Sequence, residues 1–172
     1  AIVWPSWSWK STLMNLIWML DSPTTWEIFL NNLRVDNLKD SKQCLIRAKN
    51  IWFIFQNYSL LPRITALNQV MAPLEYSWFS NSQSKKIAIE FLKKVWLEDK
   101  LKNKPNELSW WQCQRVAIAR ALVVNPEIIL ADEPTWALDS KTWDEILQLF
   151  KQINQEWKTV IIITHDLSIA SK

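Results

Sequence analysis

The amino-acid sequence predicts an α/β protein built on a parallel sheet. Short apolar segments alternate along the chain with segments whose apolar residues recur at helical spacing, which is the pattern of strands connected by helices. One segment, 127–131, is apolar from Ile128 onwards and leads into the acidic pair Asp132-Glu133. A strand that is apolar on both faces is typical of a parallel sheet covered by helices on each side. The 172 residues, 49% of them apolar, suffice for one domain with a hydrophobic core.

The first third of the chain follows this alternation. A short apolar run precedes a segment of helical spacing, "DSPT" ends that helix as a turn, and a later buried strand stops at Gln56. The elements predicted here are strands at 1–3, 27–30 and 51–55 and helices at 11–20 and 40–49.

Two amphipathic helices follow a loop at 57–64, before the alternation returns. Thr65 is placed to cap the first helix, the second carries its lysines on one face, and Pro105 breaks the chain after them. The elements predicted here are helices at 65–76, 84–95, 112–124 and 140–156 and strands at 127–131 and 160–164.

Composition excludes several classes of function. The net charge is +3, and the basic residues are scattered among acidic ones, which favours solvated helix faces over a nucleic-acid surface. Cys44 and Cys113 are too far apart for a disulfide framework or a metal knuckle, and His165 is the sole histidine, which removes most zinc sites. No apolar run approaches the ~20 residues that cross a bilayer.

The segment "WPSWSWKST", residues 4–12, ends as a phosphate-binding loop ends. The pattern Gly-x-x-x-x-Gly-Lys-[Ser/Thr] requires a strand before it and a helix after it, and both are predicted here. In such a loop Lys10 pairs with the β- and γ-phosphates and the Ser11 hydroxyl binds Mg²⁺. The alternative is a chance Lys-Ser-Thr triplet. The predicted nucleotide-binding residues are Trp4, Pro5, Ser6, Trp7, Ser8, Trp9, Lys10, Ser11 and Thr12.

A second motif, "IILADE" at 128–133, delivers two carboxylates at the carboxyl end of a buried strand. Ligands of open α/β sheets bind at this edge. We expect Asp132 to hold Mg²⁺, directly or through water, and Glu133 to act as the general base on the attacking water. The alternative is a strand that ends in a solvated acidic turn.

A third motif, "LSWWQCQRVAIARAL" at 108–122, resembles a known family. With glycine at 110 and 111 it reads Leu-Ser-Gly-Gly-Gln, the signature of ATP-binding-cassette (ABC) ATPases. Other family motifs then follow in order: Gln56 at the Q-loop, "WALD" with Asp139 at the D-loop, and His165 at the switch position. The signature residues are Leu108, Ser109, Trp110, Trp111 and Gln112.

The resemblance implies the P-loop NTPase fold, with a parallel sheet core and a small helical subdomain at about 62–108. It implies ATP and Mg²⁺ as ligands, with Gln56 sensing Mg²⁺ and the water. Two cassettes, as a homodimer or another pair, would lie head to tail, so that Ser109 caps the γ-phosphate of ATP held by Lys10 of the other chain. Asp139 would cross the interface, and His165 would contact the γ-phosphate.

The same resemblance implies an integral membrane permease as partner and a peripheral location at the cytoplasmic face of the membrane. Gln56 and Leu108 are too close in sequence for the long coiled coil of the DNA-repair members. Residues 60–79 are similar to the cassettes of lipoprotein release, macrolide export and cell division; an importer cassette is the alternative. The family's adenine-stacking residue and last helices are missing, so we expect residues 1–172 to be a fragment of one ABC ATPase domain.

Tryptophan and glycine counts are anomalous in opposite directions. The chain has 13 tryptophans and no glycine, whereas roughly 7% glycine is average. Each tryptophan stands where motif, turn chemistry or family resemblance leads us to expect glycine, and translation of UGA glycine codons as tryptophan would produce this pattern. The alternatives are a degenerate paralogue, read as a catalytically dead cassette or scaffold, and a deliberate replacement series. A tryptophan in the phosphate loop would fill the phosphate site, so the tryptophan-bearing chain is predicted to be inactive or misfolded.

Overall fold

A computed structural model describes residues 2–3, 7–76, 79–134, 140–155 and 158–165. Six helices and six strands lie in these ranges. The helices are α1 (Trp7–Ile17), α2 (Asp40–Asn50), α3 (Ala66–Met71), α4 (Asn81–Lys94), α5 (Trp110–Leu122) and α6 (Ser140–Gln155). The strands are β1 (Ile2–Val3), β2 (Phe29–Leu30), β3 (Leu33–Arg34), β4 (Ile51–Ile54), β5 (Ile128–Asp132) and β6 (Thr159–Thr164).

Four strands form a parallel sheet in the order β1-β6-β5-β4. Ala131 of β5 pairs with Ile54 on one side and Ile162 on the other, so the carboxyl ends of these strands meet at one edge. The predicted parallel α/β fold is thereby confirmed. Asp132 is the last residue of β5, and Glu133, Gln56 and His165 follow strand ends at this edge.

Hydrophobic clusters cover the two faces of the sheet. One cluster joins α3, α4, α5 and α6 to the sheet through residues such as Val70, Leu92 and Ile118, all fully buried. The other packs Met14 of α1 and Phe53 of β4 together. Because β5 is buried on both faces, its residues are apolar for the reason that the sequence predicted. Within the described ranges, no helix combines the length and apolarity needed to cross a membrane.

Local side chains fix where the helices begin and end. Thr65 caps α3 as predicted, because its hydroxyl accepts the Asn68 N–H. Helix α3 changes to a 3₁₀ turn at Ala72–Tyr76, where Pro73 has no N–H to donate. Helix α4 begins at Asn81, three residues before the prediction, because Ser80 and Gln83 form a capping box.

Two further predictions need correction. Helix α1 begins at Trp7, four residues before the predicted Ser11, and ends at Ile17. Strand β2 pairs with β3, which was not predicted, through a turn in which Asn31 and Asn32 have φ of 48° and 63°. Two positive φ angles define the tight hairpin turn that asparagine tolerates, so the adjacent asparagines were the overlooked signal.

Candidate nucleotide site

One lysine and two carboxylates meet at the carboxyl edge of the sheet. Lys10 lies in the second turn of α1, and its Nζ is 2.5 Å from Asp132 Oδ1 and 3.2 Å from Glu133 Oε1. The side chain of Glu133 is 6% exposed, whereas those of Lys10 and Asp132 keep about a fifth of their surface. The structure therefore brings Lys10, the lysine of the predicted phosphate loop, to the end of β5.

Besides Lys10, Glu133 contacts the end of β6 and the residue after it. Its N–H donates to Ile163 O at 2.9 Å, and its Oε2 accepts from the Thr164 hydroxyl at 3.1 Å. Its Oε1 accepts from the His165 N–H at 2.9 Å and lies 2.7 Å from His165 Nδ1. These contacts hold Glu133 at φ 43°, a left-handed conformation that is uncommon for a residue other than glycine.

The pKa of Glu133 reflects two opposing causes. Burial raises it, but hydrogen bonds from His165 and Lys10, together with their charges, lower it by more, so the pKa lies below its ordinary value of 4.5. Glu133 is therefore ionised at neutral pH and is placed to attract a cation or accept a hydrogen bond. The ring of His165, 63% exposed, supplies a nitrogen at the same carboxylate.

The predicted signature segment forms the N-terminal end of α5. Ser109 Oγ accepts the Gln112 N–H at 3.3 Å and Gln112 Oε1 accepts the Ser109 N–H at 2.9 Å, which is a capping box. Trp110 begins the helix with 36% of its surface exposed, and Leu108 packs at the edge of the first core cluster. No contact joins this segment to Lys10 or Glu133 among the described side chains, so the structure does not unite the two halves of the predicted site in one chain.

The remaining predicted residues fall into two groups. Gln56 lies two residues after β4, which sheet register places at the same edge as Asp132. Thr12 is exposed on α1. The other predicted positions, Trp4, Pro5, Ser6 and Asp139, lie outside the described residues, as do the side chains of Trp7, Ser8, Trp9 and Ser11. Within the described part of the chain, no three carboxylate, histidine or cysteine side chains form a metal cluster.

Two polar residues of this region were not predicted. Thr164 is 1% exposed and donates to Glu133; nothing in the sequence distinguished it from an ordinary strand terminus. Arg120 donates to the carbonyls of Tyr58 and Ser59, both at 2.8 Å. Its signal was available, because Arg120 is the one charged residue in the otherwise apolar run 116–122.

Two of the described tryptophans lie in different environments. Trp18 is partly buried against the second core cluster and is stacked on Phe53, with ring centroids 5.0 Å apart. Trp96 is 52% exposed and has φ 57°. Its N–H donates to Lys93 O and the Leu97 N–H donates to Leu92 O, both at 2.9 Å. This is the Schellman motif, in which the left-handed position after the helix is usually glycine.

Comparison with known proteins defines the class. A family model described as "ABC transporter" matches residues 1–136. The chain belongs to this family, and it is an ATP-binding subunit of the ABC transporter type.

Individual relatives agree with this family. An uncharacterized ABC transporter ATP-binding protein, MJ0796 of Methanocaldococcus jannaschii, is 48% identical over 99% of the chain and 74% of its own length. The protein YvrO of Bacillus subtilis, with a similar description, is 48% identical over the whole chain and 75% of its own length. The macrolide export ATP-binding/permease protein MacB of Bartonella henselae is 41% identical over the whole chain, which spans 26% of MacB.

A solved structure has the same fold. It is described as a dimeric post-hydrolysis state of the cassette MJ0796 bound to ADP and Pi. It is 47% identical, with a TM-score of 0.83 over 94% of this chain and 72% of that one.

Proposed function

We propose that the chain hydrolyses ATP to power an integral membrane permease that exports a substrate or extracts it from the membrane. The supporting observation is the cluster of Lys10, Asp132, Glu133 and His165 at the carboxyl edge of the sheet. The relative MacB, a macrolide export ATP-binding/permease protein, supports the export direction. The permease would hold this chain at the cytoplasmic face of the membrane.

The donor set fits ATP and Mg²⁺. Lys10 faces two carboxylates that lie within 3.2 Å of its ammonium group. Phosphate oxygens could replace those carboxylates as partners of Lys10, and Mg²⁺ would then neutralise Asp132, with Ser11 and Gln56 as its further ligands. A site with one carboxylate suits Mg²⁺, which takes most of its oxygens from phosphates and water. Bound Mg²⁺ would neutralise charge that develops on the phosphates.

Glu133 is the residue that would act on the attacking water. Its carboxylate is ionised, and its partners fix its orientation. When Lys10 turns to phosphate, one of the contacts that lower the Glu133 pKa is lost, so the carboxylate becomes a better proton acceptor. With Nδ1 of His165 engaged by Glu133, Nε2 is the nitrogen that could contact the γ-phosphate.

The signature segment would complete the site of a second, head-to-tail cassette. Ser109 Oγ accepts a helix N–H, which leaves its hydroxyl hydrogen to donate to a phosphate. The N-terminus of α5 adds the favourable end of a helix dipole. A dimer of the relative MJ0796 has been solved, which supports the same arrangement here, with Asp139 at the interface.

The functional protein is proposed to carry glycine at the tryptophan positions. Trp96 supports this, because its exposed indole occupies a left-handed position where a Cβ atom is unfavourable. Mass spectrometry of the natively expressed peptide 1–10 tests it directly, and a tryptophan-containing mass would contradict it. No described residue favours the alternative of a catalytically dead cassette.

The function is tested by phosphate release from Mg-ATP by the glycine-bearing chain. The expected result is turnover that Glu133→Gln reduces about 10²- to 10⁴-fold, while ATP binding is kept. Glu98→Gln, which removes an exposed carboxylate on the helical side, is the matched control and should hydrolyse ATP normally. If the glycine-bearing chain without further substitutions bound ATP but did not hydrolyse it, the enzyme proposal would be contradicted.

A further inference from the structure

The turn that follows Gln56 has an unusual backbone. Tyr58 and Ser59 are consecutive, neither is glycine, and their φ angles are 55° and 48°. The only hydrogen bonds described within the turn are those from the Tyr58 N–H to Phe55 O at 3.1 Å and from the Ser59 N–H to Asn57 O at 2.5 Å. Left-handed conformations of ordinary residues persist where the surrounding structure holds them. Here the restraint comes from a side chain of helix α5.

Arg120 supplies the restraint from the last turn of α5. Its Nη1 donates to Ser59 O and its Nη2 to Tyr58 O, each at 2.8 Å. The planar guanidinium fixes both carbonyls at once, which a flexible single donor cannot do. Burial lowers the pKa of Arg120, and no carboxylate of the described residues pairs with it. The two carbonyl dipoles are therefore its principal partners.

A second residue holds the far end of the same loop. The buried side chain of Gln69, on α3, donates to Leu61 O at 2.6 Å and accepts the Leu61 N–H at 3.3 Å. The chain from Gln56 to Leu61 is thus attached to α5 at one end and to α3 at the other. Its shape follows the position of these helices.

We propose that Arg120 is a positioning residue that holds the amide of Gln56 in place for Mg²⁺ and the attacking water. The inference rests on the proposed ATPase function. Helix α5 begins at the Ser109 capping box and carries Arg120 near its end. One rigid helix therefore connects the segment that would cap the partner's nucleotide with the turn that carries Gln56 in this chain's own site. Closure of the dimer on ATP would act on Gln56 through Arg120.

The test compares Arg120→Met with the unsubstituted glycine-bearing chain. Met keeps an apolar stem and removes both donors. We expect kcat to fall about tenfold to a hundredfold, as for a small misplacement of a catalytic group. The Mg²⁺ concentration for half-maximal activity should rise, while ATP affinity measured without Mg²⁺ stays unchanged. Arg120→Lys, which keeps the charge and can reach one carbonyl, should fall in between.

Arg47 provides the matched control. Its Nη1 donates to the carbonyls of Trp18 and Met19 at 3.4 and 3.0 Å, and Met19 has φ 53°. Arg47→Met therefore removes an arginine from another left-handed turn that no described contact joins to Gln56. It should lower thermal stability without changing the Mg²⁺ dependence. An equal change of Mg²⁺ dependence in both variants would overturn the proposal, since Arg120 would then act only through stability.

A double-mutant cycle with Gln56→Ala completes the test. If Arg120 acts through Gln56, Arg120→Met should have little further effect on kcat in the Gln56→Ala background. Full additivity would overturn the proposal, and so would a folded Arg120→Met with normal Mg²⁺ dependence. If Arg120→Met does not fold, Arg120→Lys takes its place under the same criteria. An unsubstituted chain that hydrolyses no ATP would refute the proposed function instead, which separates the two failures.

Discussion

The two halves of the proposed ATP site differ in how far one chain completes them. At the sheet edge, Lys10 Nζ and His165 Nδ1 both lie within 3.2 Å of Oε1 of Glu133, and the Glu133 side chain is buried. At the start of α5, the hydrogen bonds described for Ser109 all join it to residues of its own helix, Gln112 and Cys113. The difference supports the proposed division of the site: the sheet-edge residues are brought together within one chain, whereas the signature end would be completed only against a second chain.

The largest effect is expected in a complementation experiment, which tests whether the two halves of the site come from different chains. Lys10→Ala removes the sheet-edge half, and Ser109→Arg blocks the signature half. Each variant alone should lose ATP hydrolysis by orders of magnitude, because every site of its dimer has one defective half. Mixed, the two should recover up to about a quarter of the activity, since half of the randomly paired dimers have one intact site of two.

The control for complementation is a chain that carries both substitutions. Mixing it with either single variant leaves no intact site and should restore nothing. Full activity of Ser109→Arg alone would contradict the division of the site between chains.

A smaller effect separates the structural and functional roles of Ser109. Ser109→Ala removes a capping hydroxyl and should cost about 1 kcal/mol of unfolding free energy. Ser80→Ala removes the equivalent hydroxyl of α4, whose capping box with Gln83 has the same chemistry, and should cost about the same. Only Ser109→Ala should also weaken ATP-dependent dimerisation, about tenfold for one lost phosphate hydrogen bond. Urea unfolding and sedimentation with ATP measure the two effects; equal dimerisation of both variants would place Ser109 outside the shared site.

The sequence predicted the sheet-edge half better than the signature half. Strand β5 was predictable because its run of apolar residues requires burial on both faces, and the parallel sheet then fixes where Asp132 and Glu133 emerge. The contacts of Glu133 with Thr164 and His165 were not predictable, since they depend on the register of β5 against β6. The isolated charge in the apolar run 116–122 marked Arg120 as unusual, but its partners were not predictable, because they lie about sixty positions away in the sequence.

Two tryptophans near the signature half test the same comparison. The guanidinium carbon of Arg115, on α5, lies 4.9 Å from the ring centroid of Trp96 and 5.1 Å from that of Trp111. Trp96→Gly should raise stability by about 1 kcal/mol, because glycine removes the cost of a left-handed residue with a Cβ atom. Trp18→Gly, which removes a partly buried ring stacked on Phe53, should lower stability by ~2 kcal/mol. Thermal unfolding measures both changes, and a destabilising Trp96→Gly would show that the indole contact with Arg115 outweighs the backbone cost.

The smallest expected effect is a dependence of stability on pH that belongs to the sheet-edge half alone. Because the pKa of Glu133 is below 4.5 in the folded chain, its ionised form stabilises the fold at higher pH, and this contribution is lost as the pH falls through the folded pKa. Urea unfolding across acidic pH should therefore show that Glu133→Gln loses less stability on acidification than the unsubstituted chain. Ser109→Ala should lose as much as the unsubstituted chain, because neither Ser109 nor Gln112 titrates. If the unfolding free energies of Glu133→Gln and of the unsubstituted chain fell equally with pH, the contacts of Lys10 and His165 with the Glu133 carboxylate would not be formed in the free protein. The sheet-edge half would then form only when nucleotide binds.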